Sequence, residues 1–234
     1  MKKLVPFKYK RAIKEHLGVP SLHWSLTNLR KKGWCPGVVI DVGAYEGYWT
    51  RDLLEVFPEA KVLMVEAQKN KEDLLRTLVG KQPNTAYVIQ LLSSISGGEK
   101  YFFESETASH VVTGNSRKST AQKLTTITLD DLLLQLNFPP PDFLKLDVQG
   151  HEKEVLLGAI NSLRQATVCL LEISLLNIGG NTPLLAEMIQ FMDSKGYQAY
   201  DISHFIRRPY DKALYQVDMF FVKKDSYLAT EERW

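Results

Sequence analysis

Two cysteines in 234 residues, Cys35 and Cys169, are too few for a disulfide framework and show no zinc-ligand spacing. No excess of one charge sign is present either. The formal net charge is +2, which argues against general nucleic-acid binding. No apolar run reaches membrane-spanning length. The basic opening, MKKLVPFKYKRAIKEHLG, lacks the apolar stretch of a signal peptide. Together these absences point to a cytoplasmic, reducing location without a transmembrane segment. They leave the oligomeric state open. What is present is apolar residue content, 44% of the chain, enough for a sizeable core. The length suits one α/β domain with an extension.

Residues 1–33 read as a basic, helical N-terminal extension, with Gly18 and Gly33 as helix stops. It is expected to cap the main domain, residues 34–234, or to form a lid. From GVVIDVG onward, short apolar runs alternate with amphipathic stretches. Strands are expected at Val38–Val42, KVLMVEA, TAYVIQLLSS, FLKLDV, ATVCLLEI, YQAYDI and YQVDMFFVKK. Helices are expected at YWTRDLLEVF, KNKEDLLRTLVG, TLDDLLLQL with Thr128 as N-cap, EKEVLLGAINSL and PLLAEMIQFMDSKG. GEKYFFES and KLTTITL read as strands of an insertion or hairpin. Residues 105–122 read as a mobile surface loop. Fully apolar strands alternating with helices predict a mostly parallel sheet covered on both faces.

Ligands of such a sheet bind outside the carboxyl ends of its strands. The first strand runs into DVGAYEGYW, where Gly43 permits a tight turn against a ligand and Gly47 permits close packing at the helix start. The spacing is not the Gly-x-Gly-x-x-Gly of dinucleotide sites. The second strand ends at Glu66, followed by Ala67 and Gln68. A carboxylate there can accept both hydroxyls of a ribose. Ser93, or a nearby amide, ends the third strand and is placed to meet an adenine edge.

The fourth strand, LKLDVQGHE, is unusual. Alternation puts Phe143, Lys145 and Asp147 on one face and Leu144, Leu146 and Val148 on the other. Charges in a central strand need a reason. Lys145 and Asp147 therefore line a wet cleft or pair with each other. His151 and Glu152 would occupy the first turn of the next helix, whose positive end favours the carboxylate and a neutral imidazole. Glu172 ends the fifth strand, and Asp218 approaches from the last. Such converging acids suit a cation, proton transfer or a metal, with Asp147, Glu172 and Asp218 as the ligands if a metal binds. Alternatively some pair with Arg207, Arg208 or Lys145. HFIRRPYDKALY reads either as an acceptor-binding wall or as an ordinary hairpin loop.

The segments VVIDVGAYEGYWT, VEAQ, TLDDLL, DFLKLDVQGHEKEVLLGA, LLEI and YQVDMFFVK occur in this order. With them the chain, over about residues 37 to 224, resembles the FkbM-type methyltransferases, a branch of the class I S-adenosylmethionine-dependent enzymes. The resemblance implies a Rossmann-like, seven-stranded sheet with the last strand antiparallel. It implies S-adenosylmethionine as cofactor, held by the first loop at Asp41, Gly43 and Gly47, with Glu66 on the ribose; Ala44, Tyr45, Glu46, Ala67, Gln68, Ser93 and Asp147 are further candidate cofactor-binding residues. It implies methyl transfer to a hydroxyl of a sugar, glycan or natural-product small molecule. Tyr45 stands where the family usually has Asn, and Gln149 where it usually has Glu.

Within this reading His151 or Asp147 takes the acceptor's proton, with Lys145 beside them. Glu152, Glu172, Asp218 and Arg207 contact the acceptor. No divalent metal is predicted, and metal dependence stays open. Two other readings remain at this point: a nicotinamide-dependent oxidoreductase on a similar sheet, which the glycine spacing disfavours, and a non-catalytic module that binds S-adenosylmethionine or another small molecule.

Overall fold

The computed structural model describes residues 16–106, 109–112, 121–178 and 182–230. The first described elements are α1 (Leu22–Lys31), β1 (Val38–Val42), α2 (Tyr48–Val56), β2 (Lys61–Glu66), α3 (Glu72–Val79) and β3 (Thr85–Ile89). Then come β4 (Leu91–Leu92), β5 (Glu99–Phe103), β6 (His110–Val111), β7 (Gln122–Ile127), α4 (Leu129–Gln135) and β8 (Phe143–Leu146). The last part holds α5 (Glu152–Leu157), α6 (Ile160–Gln165), β9 (Val168–Ser174), α7 (Leu185–Ser194), β10 (Tyr197–Arg207), β11 (Leu214–Lys223) and α8 (Tyr227–Thr230).

Seven strands form one sheet in the order β10-β11-β9-β8-β1-β2-β3. Neighbours from β9 to β3 are parallel, and β11 runs antiparallel to both β9 and β10. This is the Rossmann-like class I arrangement, and the strand periodicity explains its two cores. Ile40, Val42, Leu63, Val65, Leu144 and Leu146 face one way, toward Leu129 of α4, Leu156 of α5 and Met192 of α7. Val39, Val62, Met64 and Phe143 face the other way, toward Leu26 and Leu29 of α1, Leu53 of α2 and Leu75 of α3. Ser21 caps α1 by accepting from the Trp24 amide, and Leu26 and Leu29 are fully enclosed. Of the expected extension, residues 1–15 lie outside the described residues.

Three expectations are corrected. The run TAYVIQLLSS is not one strand. At Gln90 the chain leaves the main sheet, and β4 pairs with β7 in a second sheet ordered β4-β7-β5-β6. The helix expected at EKEVLLGAINSL breaks in two at Gly158 and Ala159. A Cβ on Gly158 would lie 2.3 Å from the Ser93 carbonyl oxygen, so the segments pack backbone to backbone there. Within residues 105–122, His110 and Val111 form β6 on β5 rather than loop, while residues 107–108 and 113–120 lie outside the described residues. Thr128 caps α4 as expected, accepting from the Asp131 amide at 3.1 Å.

Candidate functional site

The strand order reverses direction at β1, with β2 on one side and β8 on the other. A cavity of about 540 Å³ opens there, outside the carboxyl ends of the strands, a size suited to a small-molecule ligand. The second sheet walls it with Leu92, Phe102, Glu106, Ser109 and Val111, so the insertion belongs to the site.

Gly43, at φ +74, lines one end of the cavity. A Cβ there would sit 1.8 Å from the Asp147 carbonyl oxygen. The residue pressed against this glycine is thus the end of β8, and the loops after β1 and β8 touch because no side chain intervenes. Gly47 starts α2 at φ +75, where a Cβ would lie 2.4 Å from Leu78. Tyr45 also has left-handed backbone, φ +49, a conformation that suits Asn better than an aromatic residue. Its amide donates to Glu66 Oε2 at 2.7 Å, and its hydroxyl donates to Glu106 at 2.7 Å.

Glu66 is buried and lines the cavity. Burial raises its pKa, against the pull of the Gln68 and Tyr45 amides. Each carboxylate oxygen takes one of these N–H groups and keeps a lone pair for another donor. Gln68 is 4% exposed, and its Oε1 has no partner among the described residues, although the residue lines the same cavity. Ala67 lines it too. The Glu66 carboxylate on the cavity wall, with a lone pair free on each oxygen, fits the diol of a nucleoside. Glu46, Ala44 and Gly47 do not line the cavity; Glu46 accepts from the Tyr48 hydroxyl at 2.7 Å.

Lys145 and Asp41 sit behind the cavity wall rather than on it. They are register partners on β8 and β1, and Lys145 Nζ lies 2.9 Å from Asp41 Oδ1. Thr50 donates to Asp41 Oδ2 at 2.7 Å, and Lys145 donates to the Gly43 carbonyl at 2.9 Å. Burial opposes the lysine's charge, but the Asp41 and Asp147 carboxylates outweigh it and hold its pKa above the ordinary range. Asp147 is only a distant partner, at 3.9 Å. The fourth strand carries a lysine because its neighbour carries an aspartate.

The turn after β8 brings Asp147, Val148, Gln149 and His151 to the cavity. Glu152 turns away from it. Buried, it accepts from the Val148 and Gly150 amides at 3.0 and 3.1 Å and so holds the turn. Burial pushes its carboxyl up to about 7. His151 is buried, and burial, reinforced by Lys100, lowers its pKa to about 4, so the imidazole is neutral at pH 7. Burial rather than the helix end is the leading cause. Ser93, expected at an adenine edge, is buried with its hydroxyl 3.1 Å from His151 Nε2 and does not line the cavity.

At the far end, register sets Asp218 between Glu172 of β9 and His204 of β10. Gln149 donates to Asp147 Oδ1 at 3.0 Å and to Glu172 Oε2 at 2.8 Å, and Gln216 donates to Glu172 at 3.1 Å. Burial and the surrounding acids raise the pKa values of both Glu172 and Asp218. Among the described residues no group of three His, Cys, Asp or Glu is arranged to hold a metal ion. Arg207 does not line the cavity; it donates to the Lys212 carbonyl at 2.9 Å.

From HFIRRPYDKALY, His204, Ile206 and Tyr215 reach the cavity and the arginines do not. Alternation puts His204 and Ile206 on the cavity face and Arg207 on the other; Arg208 lies past the end of β10, beyond a register shift at Ile206/Arg207, and pairs with Asp211. Sequence reasoning did not single out Gln90, Phe102, Glu106, Val111 or Gln216 as lining residues. Those on the second sheet had no local signal, because its docking over the main sheet is a tertiary event.

The family model of the methyltransferase FkbM domain matches residues 41–199. Over 117 residues the chain is 32% identical to the hexuronic acid methyltransferase AglP of Haloferax volcanii, a match covering 49% of this chain and 48% of that protein. The chain thus spans about half the length of this curated relative. It is similar to the crystal structure of a methyltransferase FkbM from Methylobacillus flagellatus, with a TM-score of 0.51 and 15% identity over 78% of this chain and 43% of that one. It is also similar to a putative O-methyltransferase from Klebsiella pneumoniae, with a TM-score of 0.51 and 12% identity over 86% and 79% of the two chains. The two structures share its fold. Among the described residues no helix is long and apolar enough to cross a membrane.

Proposed function

The chain belongs to the methyltransferase FkbM family, and from that premise we propose that it is an S-adenosylmethionine-dependent O-methyltransferase. Its acceptor is a hydroxyl of a sugar, glycan or natural-product small molecule. The observation that carries this reading is the Glu66 carboxylate on the cavity wall, each of whose oxygens takes one backbone amide and keeps a lone pair for a ribose hydroxyl. The hexuronic acid named for AglP favours a sugar acceptor. When bound, S-adenosylmethionine supplies a methyl group on a sulfonium, which an acceptor oxygen attacks in line.

The chain's own residues divide the remaining work. Glu66 accepts the ribose hydroxyls, and Gln68 lines the wall beside it. Gly43 lets the loops after β1 and β8 close to contact, which fixes Asp147 relative to Glu66. Asp147 lines the cavity with its side chain 41% exposed, so it can reach an acceptor hydroxyl and take its proton. His151 is held neutral, with Nε2 turned to Ser93, and orients the acceptor. Lys145, tied to Asp41, is a structural cation here and not the base. Cys35 and Cys169 are free thiols, which suits the cytoplasm.

Calorimetric titration with S-adenosylmethionine and S-adenosylhomocysteine tests the cofactor. Mass spectrometry of a glycoside panel incubated with protein and donor tests transfer. Binding of both sulfur compounds and methylation of at least one glycoside hydroxyl are expected. Absence of binding by either compound would overturn the reading.

A further inference from the structure

We propose that the acceptor end of the cavity is built for a sugar without a carboxylate, neutral or amine-bearing, and discriminates against uronic acids. This rests on the methyltransferase reading and specifies its substrate class. It departs from the hexuronic acid named for AglP.

The charges carry the argument. Asp147, Glu172 and Asp218 converge on this end, with Asp218 and Glu172 directly opposite each other across β11 and β9. The described lining residues include no lysine and no arginine. The nearest cation behind the wall, Lys145, is 6% exposed and already bound to Asp41. Arg207 turns to the Lys212 carbonyl, and Arg208 pairs with Asp211 at 2.6 Å. A sugar carboxylate entering here would meet like charge from Asp147 and Asp218, and among the described lining residues the imidazoles of His151 and His204 are the only basic groups, with His204 already 3.9 Å from Asp218. Burial, and then the Asp147 carboxylate, raise the pKa values of both Glu172 and Asp218, so this end resists further negative charge.

The same wall suits sugar hydroxyls and amines. Carboxylates accept from both, and the amides of Gln149 and Gln216 add donors and acceptors. Tyr215 and Ile206 supply the apolar surface against which a sugar ring packs.

The test uses the full chain loaded with S-adenosylhomocysteine. Methyl glycosides in the gluco, galacto and manno series, each as the neutral sugar, the 2-amino sugar and the uronic acid, are titrated by calorimetry at pH 7. In a series that binds, the neutral or amino form should bind at least about tenfold tighter than the uronic acid, the scale expected from one unpaired charge. The double variant Glu172→Gln/Asp218→Asn should narrow that gap to about threefold or less, with homocysteine-product binding reporting that it is folded. Equal or tighter binding of the uronic acid overturns the proposal, as does an unchanged gap in the double variant. Failure of every glycoside to bind while the homocysteine product binds overturns it too. Failure of the homocysteine product itself to bind refutes the methyltransferase reading, and the proposal with it.

Discussion

Ser93 Oγ lies 3.1 Å from Nε2 of His151, and both residues are buried. The serine hydroxyl has one proton to donate, and among the described residues His151 Nε2 is the acceptor it meets. A buried donor left unused is costly, so Ser93 donates and the ring proton belongs on Nδ1. On the methyltransferase reading proposed above, His151 then offers the acceptor a donor rather than a base, and Asp147 is the proposed base.

Replacing Ser93 with Ala removes the group that fixes this tautomer. The expected result is a fall in kcat of about tenfold, the scale of one net hydrogen bond, with binding of S-adenosylhomocysteine retained. Nitrogen NMR of His151 should show the proton redistributing between the two ring nitrogens. An unchanged tautomer and an unchanged kcat would remove Ser93 from the mechanism.

Gln68→Met separates stability from binding. The methionine deletes a buried, unsatisfied acceptor, so the ligand-free protein should gain up to about 1 kcal/mol. Affinity for S-adenosylhomocysteine should fall about tenfold. Denaturant midpoints and calorimetry measure the two effects. Loss of stability together with unchanged affinity would show that the Gln68 amide does not contact the nucleoside.

Lys145→Met strands Asp41 as an unpaired buried charge. A destabilisation of about 3–5 kcal/mol is expected, seen as a lowered denaturant midpoint. Adding Asp41→Asn should recover part of it. Equal losses in the single and double variants would mean that packing, not charge, holds this pair.

Glu152 makes a pH-dependent contribution of defined sign. Its carboxyl is raised from 4.5 to about 7, so the folded state holds a proton that the unfolded state has lost. Between about pH 4.5 and 7 this group lowers stability as pH rises, by at most about 1.4 kcal/mol per unit. Glu152→Gln keeps an oxygen for the Val148 and Gly150 amides and removes the titration. Unfolding free energies measured across this window should show the wild type losing ground to the variant as pH rises. His151, with its lowered pKa, acts in the opposite sense below about 6.5 in both proteins and cancels in the difference. A difference independent of pH would refute the assignment.

The sequence alone determined the strand and helix order around the site, the tight turns at Gly43 and Gly47, and the carboxylate at the end of β2. These rest on local rules, namely side-chain periodicity, glycine's backbone freedom and the apolar character of parallel strands. Period two showed that Lys145 and Asp147 share a face, but a period names no neighbour. Only the register of β8 on β1 set Asp41 opposite Lys145 and took the lysine out of the cavity. Only the departure of β4 from the main sheet brought Ser93 behind His151, and only the pairing of β9, β10 and β11 gathered Glu172, His204 and Asp218. Such contacts join residues far apart in the chain, and their energy depends on which strands lie side by side, a choice made by the packing of the whole sheet.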